Sequence, residues 1–237
     1  QQYTNSTTIS GNSFYQTTPF TAGGNYTYRV IYISDTNSNS NVISNNYIGG
    51  SAALATGTFT KTGNNTSFYA ISLSVGSTTA TTVDGNVIRN ISFANTGAAN
   101  WYGINVTAGK VNIGSLSANT IGAATGTGSI VVTNDASGGI VYPINNSSSG
   151  DVQVSNNIIA AITAANSAGA NATNLYAIYN SGSGAFTANA NTIGSTSTSN
   201  SLNTSSASTG AAQTVIGILS SGSGTITMSN NIISNII

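Results

Sequence analysis

The amino-acid sequence predicts an all-β protein that folds as a right-handed parallel β-helix, a solenoid of about seven coils with 33–40 residues in each. Three observations predict this fold. A short Asn-x-Ile signature recurs along the chain, strand-forming residues occur in short alternating runs between Gly and Ser turns, and no stretch shows the 3.6-residue apolar period of an amphipathic helix. We therefore expect almost no helix.

The Asn-x-Ile signature sets the repeat length. It occurs six times, with a degenerate seventh copy at Asn12, and its successive separations are 40, 33, 38, 34 and 40 residues. Long and short separations alternate, so the sequence predicts that the repeating unit is a pair of coils. The six asparagines of the signature are Asn46, Asn86, Asn119, Asn157, Asn191 and Asn231.

The residues after the signature divide the coils into two classes. One class carries a glycine directly after the isoleucine, at Gly49, Gly122 and Gly194. The other class carries a second isoleucine three residues further on, at Ile91, Ile162 and Ile236. This division follows the alternation of long and short separations.

Stacking explains why the signature contains asparagine. Equivalent positions of adjacent coils lie about 4.8 Å apart along the axis of a β-helix. An asparagine at a tight corner can bond the local backbone and pair its amide with the asparagine above and below. We therefore expect the six asparagines to form a buried structural ladder.

Each coil is predicted to contain three short strands. An aromatic or aliphatic residue, a small residue and an aliphatic residue form a first triplet, which a Ser/Gly turn follows. An alternating strand then leads into the Asn-x-Ile signature, and a polar loop of variable length, such as 195–214, returns to the next triplet. The triplets are Tyr69-Ala70-Ile71, Tyr102-Gly103-Ile104, Tyr142-Pro143-Ile144, Tyr176-Ala177-Ile178 and Ile216-Gly217-Ile218.

The tyrosines of the triplets allow two interpretations. The rings could form an exposed row that stacks on sugar rings, or they could point inward on the same face as the isoleucine two residues later. We favour the inward orientation, which places the small middle residues outside. The tyrosines concerned are Tyr69, Tyr102, Tyr142 and Tyr176.

Domain organisation follows from where the repeat is recognisable. Residues 1–27 match it poorly and are expected to form a divergent first coil or a cap, whereas residues 28–237 form the solenoid, which we expect to continue further. The apolar residues Ile232, Ile233, Ile236 and Ile237 are predicted to be covered by further repeats of the same chain or by another surface or secretion protein.

Composition excludes several classes of function. The chain has four cationic and four acidic residues and no net charge, and four cations are too few for nucleic-acid binding. It lacks Cys and His, so thiolate and imidazole metal sites and histidine bases are excluded. The apolar runs are too short for membrane insertion. We expect no cofactor and no catalytic residues.

The four carboxylates are isolated from one another in the sequence. They lack the spacing of a calcium loop, so we assign them to turns and expect no metal. Arg89 is close enough to Asp84 for a surface ion pair. The other acidic residues are Asp35, Asp135 and Asp151.

Three strings carry a resemblance to a known group of proteins: SNNII at 155–159, ANTIGS at 190–195 and SNNIISNI at 229–236. They resemble repeats of very large Ser/Thr/Asn-rich surface proteins of Bacteroidota, right-handed parallel β-helix adhesins exported by the type 9 secretion system, some associated with gliding motility. The resemblance spans roughly residues 28–237. It implies a stalk or filament outside the cell, adhesion, and a separate C-terminal sorting domain.

Together these features predict a non-catalytic structural or adhesive segment of an extracellular cell-surface protein or filament. A surface polysaccharide is a further expected partner. The alternative is a carbohydrate-binding or carbohydrate-active β-helix protein, for which outward-facing stacked tyrosines or a groove with clustered Asp and Lys/Arg would be the sign.

Overall fold

The computed structural model describes residues 5–135, 138–167, 171–206 and 211–237. In these ranges the chain forms 26 strands and one turn of 3-10 helix at Ala53–Ala55, with no α-helix. The strands build four parallel sheets, in which each strand pairs with its counterparts one coil before and one coil after. The predicted right-handed parallel β-helix of about seven coils is confirmed.

Sheets A and B are the two seven-stranded sheets. Sheet A contains β1 (Thr8–Ser10), β5 (Val42–Ser44), β9 (Thr81–Asp84), β13 (Val111–Ile113), β17 (Val152–Ser155), β21 (Phe186–Asn189) and β25 (Ile226–Ser229). Sheet B contains β2 (Ser13–Phe14), β6 (Tyr47–Ile48), β10 (Val87–Ile88), β14 (Thr120–Gly122), β18 (Ile158–Ala160), β22 (Thr192–Ile193) and β26 (Ile232–Ile233).

Sheets C and D have six strands each. Sheet C contains β3 (Phe20–Ala22), β7 (Phe59–Gly63), β11 (Ile91–Asn95), β15 (Ile130–Asn134), β19 (Ile162–Asn166) and β23 (Leu202–Ser206). Sheet D contains β4 (Tyr26–Ser34), β8 (Thr66–Ser74), β12 (Trp101–Ala108), β16 (Ile140–Asn146), β20 (Asn174–Asn180) and β24 (Val215–Ser220).

A coil therefore has four strands, and the sequence-based unit of three was wrong. The strands of sheet C lie in the segment for which the sequence predicts a polar loop. In the range 195–214, for example, β23 pairs in register with β19. The first coil follows the same plan, because β1, β2 and β3 pair with β5, β6 and β7.

The core is a set of continuous apolar columns. In sheet B one column contains only isoleucines from Ile48 to Ile233, with Phe14 at its start. Its members from Ile48 to Ile193 are at most 1% exposed. Identical side chains one coil apart fill a narrow interior without gaps, which accounts for the repeat of Ile and Val.

The corner between sheets A and B needs a left-handed backbone. A residue with positive φ directly precedes the ladder asparagine in most coils, because the chain reverses there within one residue. Gly, Asn and Ala occupy this position. These residues are Gly11, Asn45, Gly85, Asn156, Ala190 and Asn230, with φ between 55° and 71°.

The corner between sheets B and C explains the alternating repeat length. In the short coils β10 and β18 are followed almost directly by β11 and β19, through the left-handed residues Asn90 and Ala161. In the long coils a glycine with positive φ, such as Gly122 or Gly194, opens an extra loop before sheet C. The two classes of coil that the sequence distinguishes therefore differ in the corner between sheets B and C, which is short in one class and long in the other.

Candidate functional site

The predicted asparagine ladder is present and buried. Asn46, Asn86, Asn119, Asn157 and Asn191 are 0% exposed, and Asn231 in the last coil is half-buried. The side-chain Nδ2 of each asparagine donates to Oδ1 of the asparagine in the next coil at 2.9–3.0 Å. Asn12 donates to Asn46 in the same way at 3.0 Å and is the seventh member.

The ladder has a direction. In most coils the backbone N–H and Nδ2 of one asparagine both donate to Oδ1 of the next, as Asn46 does to Asn86 at 3.1 and 2.9 Å. Nδ2 also donates to a carbonyl of the coil before, such as Ile43 O for Asn86 at 2.9 Å. Each amide therefore ties three coils together, and the amide-to-amide hydrogen bonds always run from donor to acceptor towards the C-terminal end.

Two further polar ladders lie at the ends of sheets C and D and were not predicted from the sequence. At the end of sheet C, Asn95 Nδ2 donates to Asn134 Oδ1 at 3.0 Å. At the end of sheet D, Asn146 donates to Asn180 at 2.7 Å, and Asn180 to Ser220 at 2.8 Å. The signal was present, because ISFAN, IVVTN and ITAAN share an Ile-x-x-x-Asn pattern at 91–95, 130–134 and 162–166.

Lys61 forms the N-terminal end of the sheet C ladder. It is 0% exposed, and its Nζ donates to Asn64 O at 2.5 Å, Ala94 O at 2.8 Å and Asn95 Oδ1 at 2.5 Å. The acceptors are all neutral, and the Phe93 ring lies 4.9 Å away. Burial lowers the pKa of Lys61 from 10.5 to about 8.

The tyrosines of the triplets form a stack on the outer face of sheet D. The Tyr69 and Tyr102 rings are 4.5 Å apart and 7° from parallel, and the Tyr102 and Tyr142 rings are 5.1 Å apart and 10° from parallel. Tyr176 meets Tyr142 edge-on at 5.8 Å. The guanidinium of Arg29 lies over the Tyr69 ring at 5.1 Å and closes the stack at its N-terminal end.

The favoured inward orientation of these rings was wrong. The residues directly before them, Phe68 and Trp101, are at most 1% exposed and stack on each other in the core at 5.5 Å. Because adjacent strand residues point to opposite faces, Tyr69 and Tyr102 point outward. The strand then bends, so that both Ala70 and Ile71 are buried at 0% exposure.

The small middle residues face the core, where sheets D and B approach closely. A Cβ atom on Gly103 would overlap the Pro143 carbonyl oxygen and lie 3.4 Å from Cδ1 of Ile121. A Cβ atom on Gly217 would lie 2.9 Å from the Ile233 side chain. Their small size is thus a packing requirement, and the expectation that these residues lie outside was wrong.

Mutual stacking determines what the tyrosines can bind. Tyr102 has a ring against each face, so its edge and hydroxyl are what remain for a ligand. Burial raises the pKa of Tyr142 to about 12, and the charges of the neighbouring tyrosines Tyr102, Tyr179 and Tyr176 add to the rise. Sugar recognition by aromatic residues uses ring faces, and this stack covers them.

The charged residues form no cluster in the described part of the chain. Asp84 Oδ1 accepts the Leu116 N–H at 3.1 Å, whereas Arg89 Nη2 donates to Leu54 O at 3.1 Å, so the suggested Arg89–Asp84 pair is wrong. In the described part of the chain an ion pair forms instead between Lys110 and Asp151. Lys110 Nζ lies 3.3 Å from Asp151 Oδ2, and both side chains are exposed.

The described residues contain no group of three or more potential metal-ligating acidic, His or Cys side chains. They also contain no helix with the length and hydropathy that a membrane span requires.

Comparison with known proteins gives no relative. No protein-family description, no curated protein and no solved structure matches this chain.

Proposed function

We propose that this chain is a non-catalytic structural and adhesive segment of an extracellular cell-surface protein or filament. The observation that carries the proposal is the unbroken asparagine ladder, which ties each described coil to its neighbours from Asn12 to Asn231. Such a ladder makes a rod about 30 Å long from the seven coils. Its polar groups are used for holding coils together and form no reaction site.

The surface chemistry supports adhesion through neutral groups. Only 3% of the residues are charged and the net charge is zero, while Ser, Thr, Asn and Tyr supply hydroxyls and amides. Such a surface contacts other neutral, hydrated surfaces without long-range repulsion. A cell-surface polysaccharide and further solenoid repeats or surface proteins are the partners we propose. The resemblance to Bacteroidota adhesins of the type 9 system supports export and, in some members, a link to gliding motility.

The alternative of a carbohydrate-binding or carbohydrate-active β-helix has less support. The rings of Tyr69, Tyr102 and Tyr142 stack on one another, which leaves them without open faces for a sugar. The carboxylates of Asp84 and Asp151 are engaged with a backbone N–H and with Lys110. Neither arrangement resembles a pair of carboxylates around a glycosidic bond.

An adhesion assay tests the proposal. Beads coated with residues 1–237 are expected to bind polysaccharide-coated and abiotic surfaces, and binding is expected to persist at high salt because few charges contribute. A double variant, Tyr26→Ser with Tyr32→Ser, removes two rings of β4 that are 55% and 52% exposed and are not members of the tyrosine stack, and it is expected to weaken binding. Leu116→Ser, at an 84% exposed site elsewhere, is the matched control. Beads that bind no better than albumin-coated ones would contradict the adhesive role.

Localisation needs a separate experiment. Antibodies raised against residues 1–237 are expected to label intact cells of the source organism, and external protease is expected to remove the signal. Labelling only after the cells are permeabilised would contradict the extracellular assignment.

A further inference from the structure

Lys61 occupies a core column of sheet C. In the parallel register it lies between Phe20 and Phe93, and the column continues through Val132 and Ala164. These coils fill the position with apolar side chains, whereas Lys61 places an amine there at 0% exposure. Burial of an amine costs free energy unless the amine is hydrogen-bonded. The column alone gives no reason for a lysine at this place.

The side-chain amide of Asn95 lies directly against this amine. Lys61 Nζ is 2.5 Å from Asn95 Oδ1, and because a C=O bond is about 1.2 Å long, Nζ lies within about 3.7 Å of the amide carbon Cγ. Reacting atoms that are poised for attack lie about 3–3.5 Å apart. The two side chains come from adjacent coils, on β7 and β11, and both are at most 2% exposed. The amine and the amide are thus held near reacting distance, away from water.

The other contacts of Nζ determine where its lone pair points. Nζ also donates to Asn64 O at 2.5 Å, to Ala94 O at 2.8 Å and, at 3.5 Å, to Gly63 O. A neutral amine has two N–H groups, which these main-chain carbonyls hold, so the direction towards Asn95 is left for the lone pair. These partners are all neutral and Lys61 forms no ion pair in the described part of the chain, so burial lowers its pKa to about 8.

The amide of Asn95 is polarised for attack. The Thr66 backbone N–H donates to Asn95 Oδ1 at 3.0 Å, so a fixed donor faces the oxygen on which negative charge would develop. Asn95 Nδ2 donates to Asn134 Oδ1 at 3.0 Å, which orients the amide. Asn134 Oδ1 also accepts the Ala99 N–H at 3.3 Å, so it keeps a partner if Nδ2 leaves.

We propose that Lys61 and Asn95 join in an isopeptide bond, which links the coil of β7 covalently to the coil of β11. Nζ attacks Cγ, the Nζ–Cγ bond forms, and an electron pair of the C=O bond moves to Oδ1. The carbonyl then forms again, the Cγ–Nδ2 bond breaks, and Nδ2 takes one proton from Nζ and leaves as ammonia. One amine and one primary amide thus give one secondary amide and ammonia, and no other reagent is needed.

The reaction is expected to be slow. In the described part of the chain neither Nζ nor the Asn95 amide has a hydrogen bond to a carboxylate, so the proton passes from Nζ to Nδ2 without a general base. Freshly purified protein is therefore expected to contain Lys61 as a free amine, and linked chains are expected to accumulate over days. The link adds a covalent tie to the hydrogen-bonded ladders and does not depend on the adhesive role.

Tryptic mapping of the denatured chain tests this inference, because trypsin cleaves after the four cationic residues, Arg29, Lys61, Arg89 and Lys110. The unlinked chain releases three separate peptides, 30–61, 62–89 and 90–110. In the linked chain Lys61 is no longer a cleavage site, so peptide 30–89 is expected to stay joined to 90–110, with a mass about 17 Da below their sum. An N-terminal glutamine also releases ammonia when it cyclises, so the joined peptide decides and the intact mass does not.

The folded chain is incubated at pH 9, where most of Lys61 is neutral, and the joined peptide is expected to increase with time. Lys61→Arg keeps the cation without a nucleophilic amine, and Asn95→Ser removes the amide, so neither variant is expected to form the link. Lys110→Arg, at an exposed lysine, is the matched control and is expected to form the link as fast as the wild-type chain. Circular dichroism shows whether each variant keeps the β-helix.

Two results would overturn the inference. One is a folded wild-type chain that still releases peptides 30–61 and 62–89 in full after several weeks. The other is a joined peptide that forms equally fast in urea-unfolded chains, because the fold would then not position the two groups. The wild-type result decides even if Lys61→Arg does not fold. Neither result bears on the adhesion assay.

Discussion

The side-chain amide of Asn157 joins three consecutive coils. Its Oδ1 accepts from Asn119 at 2.9 Å in the coil before, and its Nδ2 donates to Asn191 at 3.0 Å in the coil after. The same Nδ2 also donates to Ile113 O at 3.0 Å. With the side chain 0% exposed, water cannot replace any of these partners.

Replacement of Asn157 by leucine is therefore expected to destabilise the protein by about 1–3 kcal/mol, because buried partners in both neighbouring coils lose their hydrogen bonds. Urea unfolding followed by circular dichroism measures the change. Asn37→Leu, at an exposed asparagine, is the matched control and is expected to change stability by less than about 0.5 kcal/mol. Equal effects of the two substitutions would show that the ladder contributes nothing.

Two buried titratable residues predict an unusual pH dependence. The pKa of Lys61 is lowered from 10.5 to about 8, so between these values the unfolded chain holds a proton that the folded chain has lost, and stability rises with pH. The pKa of Tyr142 is raised from 10.0 to about 12, so between these values the folded chain keeps a proton that the unfolded chain has lost, and stability falls.

We therefore expect stability to be greatest near pH 10, with a gain on the order of 1–2 kcal/mol over pH 7. Urea unfolding at pH 7, 8.5, 10 and 11.5 measures the profile. Lys61→Met is expected to remove the rise, and Tyr142→Phe to reduce the fall. A profile that declines steadily from pH 7 would contradict the assignment of Lys61.

At the scale of the strand and its corners, the long B–C corners depend on glycine. Gly122 has a φ of 87°, and a Cβ atom there would overlap the Ala160 carbonyl oxygen of the next coil. Gly194 has the same relation to Ser234, and Gly49 to Arg89. The glycine is needed both for the left-handed backbone and for the close approach of the coil above.

Gly122→Ala is thus expected to destabilise the protein by about 2–4 kcal/mol, because strain and overlap add. Differential scanning calorimetry measures the effect as a lowered Tm. The control is Gly23→Ala, since a Cβ atom there meets nothing within 4 Å. If the Gly122→Ala variant has the same Tm as the wild-type protein, the corner tolerates a side chain and the proposed requirement for glycine is wrong.

The sequence was informative where one residue type recurs at one place. The Asn-x-Ile signature predicted the ladder, the number of coils and the two classes of coil. It did not reveal sheet C, because β23 and its counterparts consist of Ser, Thr, Ala and Asn as much as of apolar residues. Nor did it orient the tyrosines, since the bend that buries both Ala70 and Ile71 breaks the period-2 pattern.

At the scale of the whole molecule, stability should vary along the axis. A central coil is held by two neighbours, whereas a terminal coil is held by one, and solenoids gain stability from neighbouring-coil contacts. The exposed Ile226, Met228 and Ile233 show that the last coil buries less apolar surface than those below it.

Hydrogen exchange is expected to reveal this gradient. Backbone amides of β12 and β16 should exchange slowest, and those of β24, β25 and β26 at least about tenfold faster in dilute protein. Mass spectrometry of peptic fragments measures the rates. Uniform protection from the first coil to the last at a concentration where the protein is monomeric would contradict this expectation.

The long corners also constrain how such a chain can grow during evolution. The Gly126 N–H donates to Thr198 Oγ1 at 3.1 Å across 72 residues, so one long corner touches the next across an intervening short coil. Two long corners in adjacent coils would both have to fit within the rise of one coil, which is about 4.8 Å along the axis. Duplication or deletion of gene segments should therefore be tolerated in steps of two coils, and an unequal crossover that inserts a single coil should be selected against.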